Sequence, residues 1–170
     1  LSRMQSIRSD GYRKMLNKLG YTPRFTVLCD VTNRLLGPQG AARVFGPQKG
    51  ASPRQVEMLE SGLSHLAELI KKELDFDVTR LRGGGAAGGA AAGLAAFLGA
   101  KIQKGAEKIA EITGLEDKIR SADWVITGEG CLDAQTAFGK APAVVARIAA
   151  HHGVPVIGVA GSIGPGAASL

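Results

Sequence analysis

Apolar runs separated by polar and glycine-rich stretches divide this chain into alternating strands and helices. The run Phe25–Val31 predicts a strand, because it is short, apolar and rich in β-formers. From Ser52 to about Leu74, apolar positions recur every three or four residues, which predicts an amphipathic helix. The predicted buried face of this helix consists of Val56, Leu59, Leu63, Leu66 and Ile70.

The start of that helix is indicated by a local signal. Ser52 and Gln55 have the spacing of a capping box, and Pro53 occupies the first helical position. The preceding residues, 33–50, have glycine-proline corners and are predicted to form a long loop. A helix or helix pair is expected at about residues 104–119.

The C-terminal part predicts a parallel βαβ unit. An apolar strand headed by Trp124, which we expect in the core, leads into a glycine-punctuated loop that begins at Thr127. A helical run (143–151) and a second apolar strand (154–160) follow. The fold class is therefore α/β, and the loop is expected at the carboxyl end of a strand, where ligands of open parallel sheets bind.

Composition narrows the possible partners. The chain has 170 residues, 45% hydrophobic residues and a formal net charge of +6. Residues 1–24 contain six basic and one acidic residue, which leaves 15 basic and 14 acidic residues in the remainder. Because the remainder is nearly neutral, no nucleic-acid partner is expected. Oligomeric state is not determined by these features.

Two cysteines without metal-ligand spacing favour a reducing cytoplasm over a disulfide framework. The charge-free stretch 83–100 is dominated by glycine and alanine, so we expect a buried helix and no membrane span. The chain begins with leucine and stops just after a predicted strand, so it is expected to be a piece of a longer protein.

The glycine-punctuated loop carries the strongest chemical signal. Glu129 and Asp133 are four residues apart, and Lys140 closes the loop. Two carboxylates could hold Mg²⁺ or activate a hydroxyl group, and an ammonium group could neutralise a transferred phosphoryl group, as phosphoryl transfer requires. The alternative is a polar loop whose acids pair with surface lysines.

Three further residues are weaker candidates. Asp30 and Asn33 follow the first predicted strand, where they could orient a substrate hydroxyl or hydrated Mg²⁺, or could simply cap the turn. Lys49 precedes the helix that begins after Ser52, so it could meet a phosphate at that helix N-terminus or could be a solvated lysine.

Two other patterns are weak when taken alone. The run Gly83–Gly88 formally fits G-x-G-x-x-G but lacks a clear preceding strand and a Walker lysine, so a tightly packed small-residue segment is the simpler interpretation. His65, His151 and His152 lack a metal partner at i+4 and are predicted to be structural.

Three blocks of the sequence resemble the type-1 family of bacterial glycerate kinases. TGEGCLDAQTAFGKAP (127–142) is similar to the family's T-G-E-G-R-L-D-x-Q-T-x-x-G-K-A-P. Residues 29–51 resemble its C-D-V-x-N-P-L-L-G-P block, and residues 83–98 resemble its glycine-alanine block. The three blocks occur in the family's order and together cover roughly residues 25–161.

The resemblance implies a fold and a domain organisation. We expect a parallel, flavodoxin-like βαβ portion at 121–170 and part of a second α/β domain at 25–120, after an atypical basic segment at 1–24. The family's Gly-Gly-Ser-Ala-Thr block is absent from this chain. The chain by itself is therefore expected to be inactive, because part of an interdomain site is missing.

The resemblance also implies ATP-dependent phosphorylation of D-glycerate with Mg²⁺. Glu129, Asp133 and Lys140 are the expected catalytic residues, and the two acids are the expected metal ligands. The expected substrate-binding residues are Asp30, Asn33 and Lys49. Nucleotide or phosphate binding is expected at Gly83, Gly84, Gly85, Thr127, Gly128 and Gly130, with free N–H groups of the first glycine loop facing the ligand.

One departure from the family pattern affects this site. Cys131 stands where the family has arginine, which removes a fork-shaped cation suited to an anionic group. Two alternatives to a glycerate kinase stay open: a non-catalytic α/β fragment that binds a nucleotide or a partner chain, and a kinase for another small organic acid.

Overall fold

The computed structural model describes residues 1–8, 10–21, 23–133, 136 and 140–167. The chain divides into two compact units, Leu1–Ile102 (unit 1) and Gln103–Leu170 (unit 2). The boundary that the sequence placed near residue 120 lies inside unit 2. Among the described residues, no helix is both long and apolar enough to cross a lipid bilayer.

Unit 1 is mainly helical and carries most of the first sheet. Its helices are α1 (Asp10–Asn17), α2 (Ala41–Phe45), α3 (Pro53–Leu74) and α4 (Ala90–Leu98). Strand β1 (Thr26–Leu28) pairs with β2 (Lys101–Gln103), which crosses into unit 2. Short 3₁₀ turns occupy Pro47–Lys49, Val78–Arg80 and Ala86–Gly89.

Helix α3 begins where the capping box predicts. The Ser52 hydroxyl accepts the Gln55 N–H at 3.4 Å, and the Gln55 side chain accepts the Ser52 N–H at 2.8 Å. Two of the otherwise unpaired N–H groups at the helix start are thus satisfied. The predicted capping box is confirmed. The helix ends at Leu74, and its C-cap residue, Asp75, adopts a left-handed conformation with φ of 51°.

The core of unit 1 lies between α2, α3, α4 and the segments that connect them. Val56, Leu63 and Ile70 of α3 are buried as predicted, and Leu66 packs partly buried against the same cluster. Leu59 is 49% exposed instead, so its predicted burial is wrong. The other buried members of this core are Leu35, Ala41, Ala42, Ala67, Val78 and Ala92.

The predicted loop at 33–50 contains more regular structure than its glycine-proline corners indicate. It forms α2 and the 3₁₀ turn before α3. Ala41 and Ala42 of α2 are buried in the core. Small side chains let α2 approach α3 closely, and this tertiary contact stabilises a helix too short to be stable by itself.

Unit 2 contains the predicted βαβ unit. Helices α5 (Gly105–Ile112) and α6 (Leu115–Arg120) are followed by strand β3 (Val125–Leu132), helix α7 (Ala141–His151) and strand β4 (Val156–Ile163). Strands β3 and β4 pair in parallel, with Val125 opposite Val156 and Leu132 opposite Ile163. The prediction of an α/β fold with a parallel βαβ unit is confirmed.

Strand β3 is longer than predicted. It continues through residues 127–132, so the glycines that were expected to open a loop lie on the strand. The turn instead begins at Asp133, which stands directly after β3. Trp124, at the head of this strand, is 62% exposed, so its predicted burial is also wrong.

Candidate functional site

Two carboxylates and one ammonium group converge at the carboxyl end of β3. Glu129 lies on the strand, Asp133 follows its last residue, and Lys140 is the N-cap of α7. Lys140 Nζ lies 3.7 Å from Glu129 Oε2 and 3.7 Å from Asp133 Oδ1. The structure therefore brings together all three residues that the sequence predicted to be catalytic.

A buried threonine holds the two carboxylates in place. Thr136 is 1% exposed, and its hydroxyl group donates a hydrogen bond to Glu129 Oε1. The Thr136 hydroxyl oxygen also accepts a hydrogen bond from the backbone N–H of Asp133 at 3.2 Å. In return, Asp133 Oδ1 accepts the Thr136 N–H at 3.2 Å. One hydroxyl group thus links both acids and uses its single proton and a lone pair.

The two acids are only partly exposed, which strengthens this electrostatic cluster. The Glu129 side chain is 19% exposed, the Asp133 side chain 28% and the Lys140 side chain 39%. Charges this close interact more strongly at partly buried positions than in bulk water. Both acids pair with Lys140, a partly exposed lysine of the same motif, so the pairing fits either a catalytic cluster or the alternative of a polar loop paired with a surface lysine. The catalytic role of the three residues stays a prediction.

The alternation of β3 places Glu129 on the same side of the strand as Thr127 and Cys131. These three positions are half-buried, whereas Gly128 and Gly130 are exposed on the other face. A Cβ atom at Gly128 would lie 2.3 Å from the Val159 carbonyl oxygen, so glycine is needed there for the close approach of β4. Phosphate binding by Thr127, Gly128 and Gly130 stays a prediction.

The residue after β4 packs against the back of the cluster. The Gly164 N–H donates a hydrogen bond to the Leu132 carbonyl oxygen at 2.8 Å. A Cβ atom at Gly164 would lie 3.0 Å from Asp133 Cβ and 3.4 Å from Cys131 Sγ. Glycine at this position therefore lets the Asp133 turn sit directly on the end of β4.

In unit 1, the glycine loop Gly83–Gly85 lies against the segment that follows β1. The three N–H groups donate to carbonyl oxygens: Gly83 to Thr32 at 3.3 Å, Gly84 to Leu81 at 3.1 Å, and Gly85 to Asn33 at 2.9 Å. The expectation that these N–H groups are free to face a ligand is therefore wrong.

The glycines of this loop have a packing reason instead. A Cβ atom at Gly85 would lie 2.3 Å from the Arg34 carbonyl oxygen. Gly83 has φ of +81°, which other residues adopt rarely, and a Cβ atom there would lie 3.2 Å from Cys29 Sγ. The assignment of Gly83, Gly84 and Gly85 to nucleotide binding therefore has no support from free N–H donors, and it stays a prediction.

Asp30 and Asn33 differ in their surroundings. Asp30 is exposed just beyond β1. The Asn33 amide group donates a hydrogen bond to the Gln39 carbonyl oxygen at 2.8 Å, which closes the 33–39 loop. At least one of the two residues therefore has the structural role that the sequence left open, and the substrate-binding role of both stays a prediction.

Lys49 ends the 3₁₀ turn before α3 and is exposed. It borders a cavity of 590 Å³ between α2 and α3, whose other lining is mainly apolar and includes Phe45, Met58 and Leu59. The capping box occupies two donors of the α3 N-terminus, which weakens the argument that this terminus attracts a phosphate. The phosphate-binding role of Lys49 stays a prediction.

Sequence comparison identifies relatives for the whole chain. The model of the glycerate kinase family matches residues 1–170. The chain belongs to the glycerate kinase family. The match includes residues 1–24, the basic segment that the sequence motifs had left unassigned.

Individual members of the family support this assignment. Glycerate 2-kinase of Escherichia coli K12 is 51% identical over 137 residues, which are 81% of this chain and 36% of that protein. Glycerate kinase of Bacillus subtilis is 42% identical over 163 residues, 96% of this chain and 42% of that protein. The chain thus spans about two fifths of the length of these relatives.

A solved structure shows the same fold. The crystal structure of the putative glycerate kinase 2 of Salmonella typhimurium LT2 has a TM-score of 0.80 and 43% identity. The matched region covers 96% of this chain and 45% of the Salmonella chain. The predicted family resemblance is therefore confirmed by both sequence and structure.

Thr136 is the site residue for which sequence reasoning assigned no role. It stands three residues after Asp133, a spacing at which a hydroxyl and a carboxylate can exchange hydrogen bonds with each other's backbone. That spacing was a usable signal, but the hydrogen bond to Glu129 depends on where β3 ends. The signature residues Gln135, Phe138 and Gly139 lie outside the described residues.

Proposed function

We propose that the protein containing this chain transfers the γ-phosphoryl group of ATP to a hydroxyl group of D-glycerate. The observation that carries the proposal is the convergence of Glu129, Asp133 and Lys140 at the carboxyl end of β3 in a glycerate kinase family member. We further propose 2-phosphoglycerate as the product, because the 51% identical relative from Escherichia coli is named glycerate 2-kinase.

The three side chains are proposed to divide the work. Both oxygens of Glu129 are engaged within the cluster, Oε1 by Thr136 and Oε2 by Lys140. This acid therefore positions the ammonium group. Asp133, at the end of the strand, accepts the proton of the attacking glycerate hydroxyl as the new O–P bond forms and ADP leaves. Lys140 offsets the negative charge of the transferred group.

The carboxylates also fit the metal ion that the family resemblance implies. Mg²⁺ prefers oxygen ligands and is usually held by one or two carboxylates together with phosphate oxygens. Glu129 and Asp133 are the residues that would hold it, with Glu129 Oε2 exchanging its 3.7 Å contact with Lys140 Nζ for the metal ion. When bound, Mg²⁺ supplies further neutralisation of phosphate charge.

The proposal is tested by Asp133→Asn in the complete protein. Asparagine keeps the Oδ1 acceptor for the Thr136 N–H but cannot take up the hydroxyl proton, so kcat should fall by about 10²–10⁴-fold while the melting temperature changes little. Asp117→Asn is the matched control, because Asp117 is an exposed acid of the same unit that pairs with Arg120. A kcat within a few-fold of the parent would show that Asp133 has no catalytic role.

Lys140 provides a second test of the same site. Lys140→Ala should raise the KM for ATP and lower kcat, and Lys140→Arg should restore only part of the loss because a planar fork places its charge differently from an ammonium group. The product is assigned with coupled assays specific for 2- and 3-phosphoglycerate. ATP binding without turnover of any small organic acid would favour the non-catalytic alternative.

The activity is proposed for the complete protein and not for this chain by itself. The chain spans about two fifths of its relatives, and we expect it to bind ligand weakly without turning over glycerate. A site that lacks one wall is open to water, which weakens its electrostatic contacts. ATP- and glycerate-dependent ADP release by the 170-residue chain, abolished by Asp133→Asn, would contradict this expectation.

A further inference from the structure

A second cluster of metal-ligating groups lies in unit 2, on residues that the proposed reaction does not use. Glu116 is in the first turn of α6, His151 is the last residue of α7, and His152 is its C-cap. One ligand atom of each residue lies within 4.8 Å of the other two. His152 Nε2 already lies 3.0 Å from Glu116 Oε1.

We propose that Glu116, His151 and His152 form a binding site for a divalent transition-metal ion of the zinc class. Two imidazoles and one carboxylate are typical ligands for Zn²⁺, Co²⁺ or Ni²⁺, whereas Mg²⁺ prefers oxygen ligands. Three protein ligands leave a fourth position for water. This proposal is independent of the glycerate kinase reaction.

The distances are compatible with such a site after a small side-chain movement. With metal-to-ligand bonds of about 2.0–2.1 Å in tetrahedral geometry, neighbouring ligand atoms are about 3.3 Å apart. The Glu116 to His152 distance of 3.0 Å is already near this value. His151 is exposed, so its ring can rotate to close the remaining gap without disturbing the core.

The surrounding backbone favours a cation at this place. The site lies at the C-terminal end of α7, where the last carbonyl groups carry partial negative charge. Glu116 adds a full negative charge from the first turn of α6, which outweighs the partial positive charge of that short helix's N-terminus. A bound ion would therefore link the start of α6 to the end of α7 and stabilise unit 2 against unfolding.

The complete, untagged protein is first freed of metal with a chelator. It is then titrated with Zn²⁺ alone, and the heat of binding and the melting temperature are measured. We expect one Zn²⁺ per chain and a higher melting temperature. Loss of an outer-shell partner of a metal site weakens affinity about 10–100-fold. Removal of a direct ligand in His151→Ala, His152→Ala or Glu116→Gln should therefore weaken Zn²⁺ binding at least about tenfold.

The chain offers a matched control in its third histidine. His65 lies on α3 of unit 1, where its ring bonds the Met4 carbonyl oxygen. His65→Ala should leave Zn²⁺ affinity unchanged, and excess Mg²⁺ should not displace the ion. Co²⁺ in place of Zn²⁺ should give a visible absorption spectrum that changes when His151 is removed. The proposal would be overturned if Zn²⁺ does not bind or if Mg²⁺ displaces it. It would also be overturned if binding survives all three ligand substitutions.

Discussion

The buried hydroxyl group of Thr136 offers the sharpest test of how this site is built. Thr136→Val preserves the shape of the side chain but removes the donor to Glu129 Oε1 and the acceptor of the Asp133 N–H. Valine has nearly the same volume, so no cavity is created. The substitution therefore isolates the two hydrogen bonds from the packing of a residue that is 1% exposed.

The expected loss of stability follows from the two hydrogen bonds of Thr136, one to the charged Glu129 carboxylate and one to the neutral Asp133 N–H. A hydrogen bond to a charged group contributes about 1.5–3 kcal/mol and one to a neutral group about 0.5–1.5 kcal/mol. Because the Glu129 and Asp133 side chains remain 19% and 28% exposed, water can replace part of each bond. We therefore expect the free energy of unfolding to fall by about 2 kcal/mol, toward the lower end of the summed range.

The same change should reduce activity, although Thr136 is a positioning residue. Without its brace, Glu129 can rotate away from Lys140, and a displacement of about 1 Å in a catalytic group can cost about 10²-fold in rate. We expect kcat in the complete protein to fall by about 10–100-fold. Thr136→Ser keeps the hydroxyl group and should retain most of the activity.

The assay combines denaturant unfolding with steady-state kinetics. Thr113→Val is the matched control, because the Thr113 hydroxyl group bonds backbone carbonyl groups at the end of α5, in the same unit. It should lose little stability and no activity. The reasoning is refuted if Thr136→Val matches the parent in both measurements, or if Thr136→Ser is as damaging as Thr136→Val.

Three further predictions concern unit 2. Gly164→Ala places a Cβ atom 3.0 Å from Asp133 Cβ and should lower kcat with little change in melting temperature. In the control Gly158→Ala, the nearest atom to the new Cβ lies at 3.5 Å, so kcat and melting temperature should both stay unchanged. The hydrogen bond from Arg147 lowers the pKa of Glu107 in the folded protein. This pair therefore contributes to stability above the pKa of Glu107 in the unfolded chain, and the contribution is lost as the pH falls through the lower pKa of the folded state. Because this pair is exposed, Arg147→Gln should cost less than about 1 kcal/mol at neutral pH and nothing in acid, measured as the difference in unfolding free energy. Cys131→Arg restores the family residue and should raise kcat/KM about tenfold or more if that arginine holds an anionic group. A variant that is neither faster nor more stable would show that an arginine has no such role at this position.

Much of the fold could be predicted because its signals are local. The capping box at Ser52 and the apolar periodicity up to Leu74 predicted α3, and the structure has that helix at Pro53–Leu74. The apolar runs around a helical segment predicted the parallel pair β3 and β4. These patterns act over a few residues, so the energy that they report is present in the sequence itself.

The details of the site could be predicted only in part. The sequence indicated Glu129, Asp133 and Lys140 from their residue types and spacing, and the structure brings them together. It did not indicate that β3 continues past Thr127, because glycines that usually mark loops are here required by the closeness of β4. The bracing role of Thr136 depends on that extra length of strand.

The sequence by itself determined the family, the βαβ unit and the identity of the charged residues at the carboxyl end of β3. Only the tertiary structure decided which groups have partners and which positions are exposed. Trp124 is exposed although it is apolar, and the N–H groups of the glycine loop are engaged although glycine loops often bind anions. Glu116 and His152 meet across 36 positions of sequence. Such outcomes depend on contacts between distant segments, which local propensity and spacing do not encode.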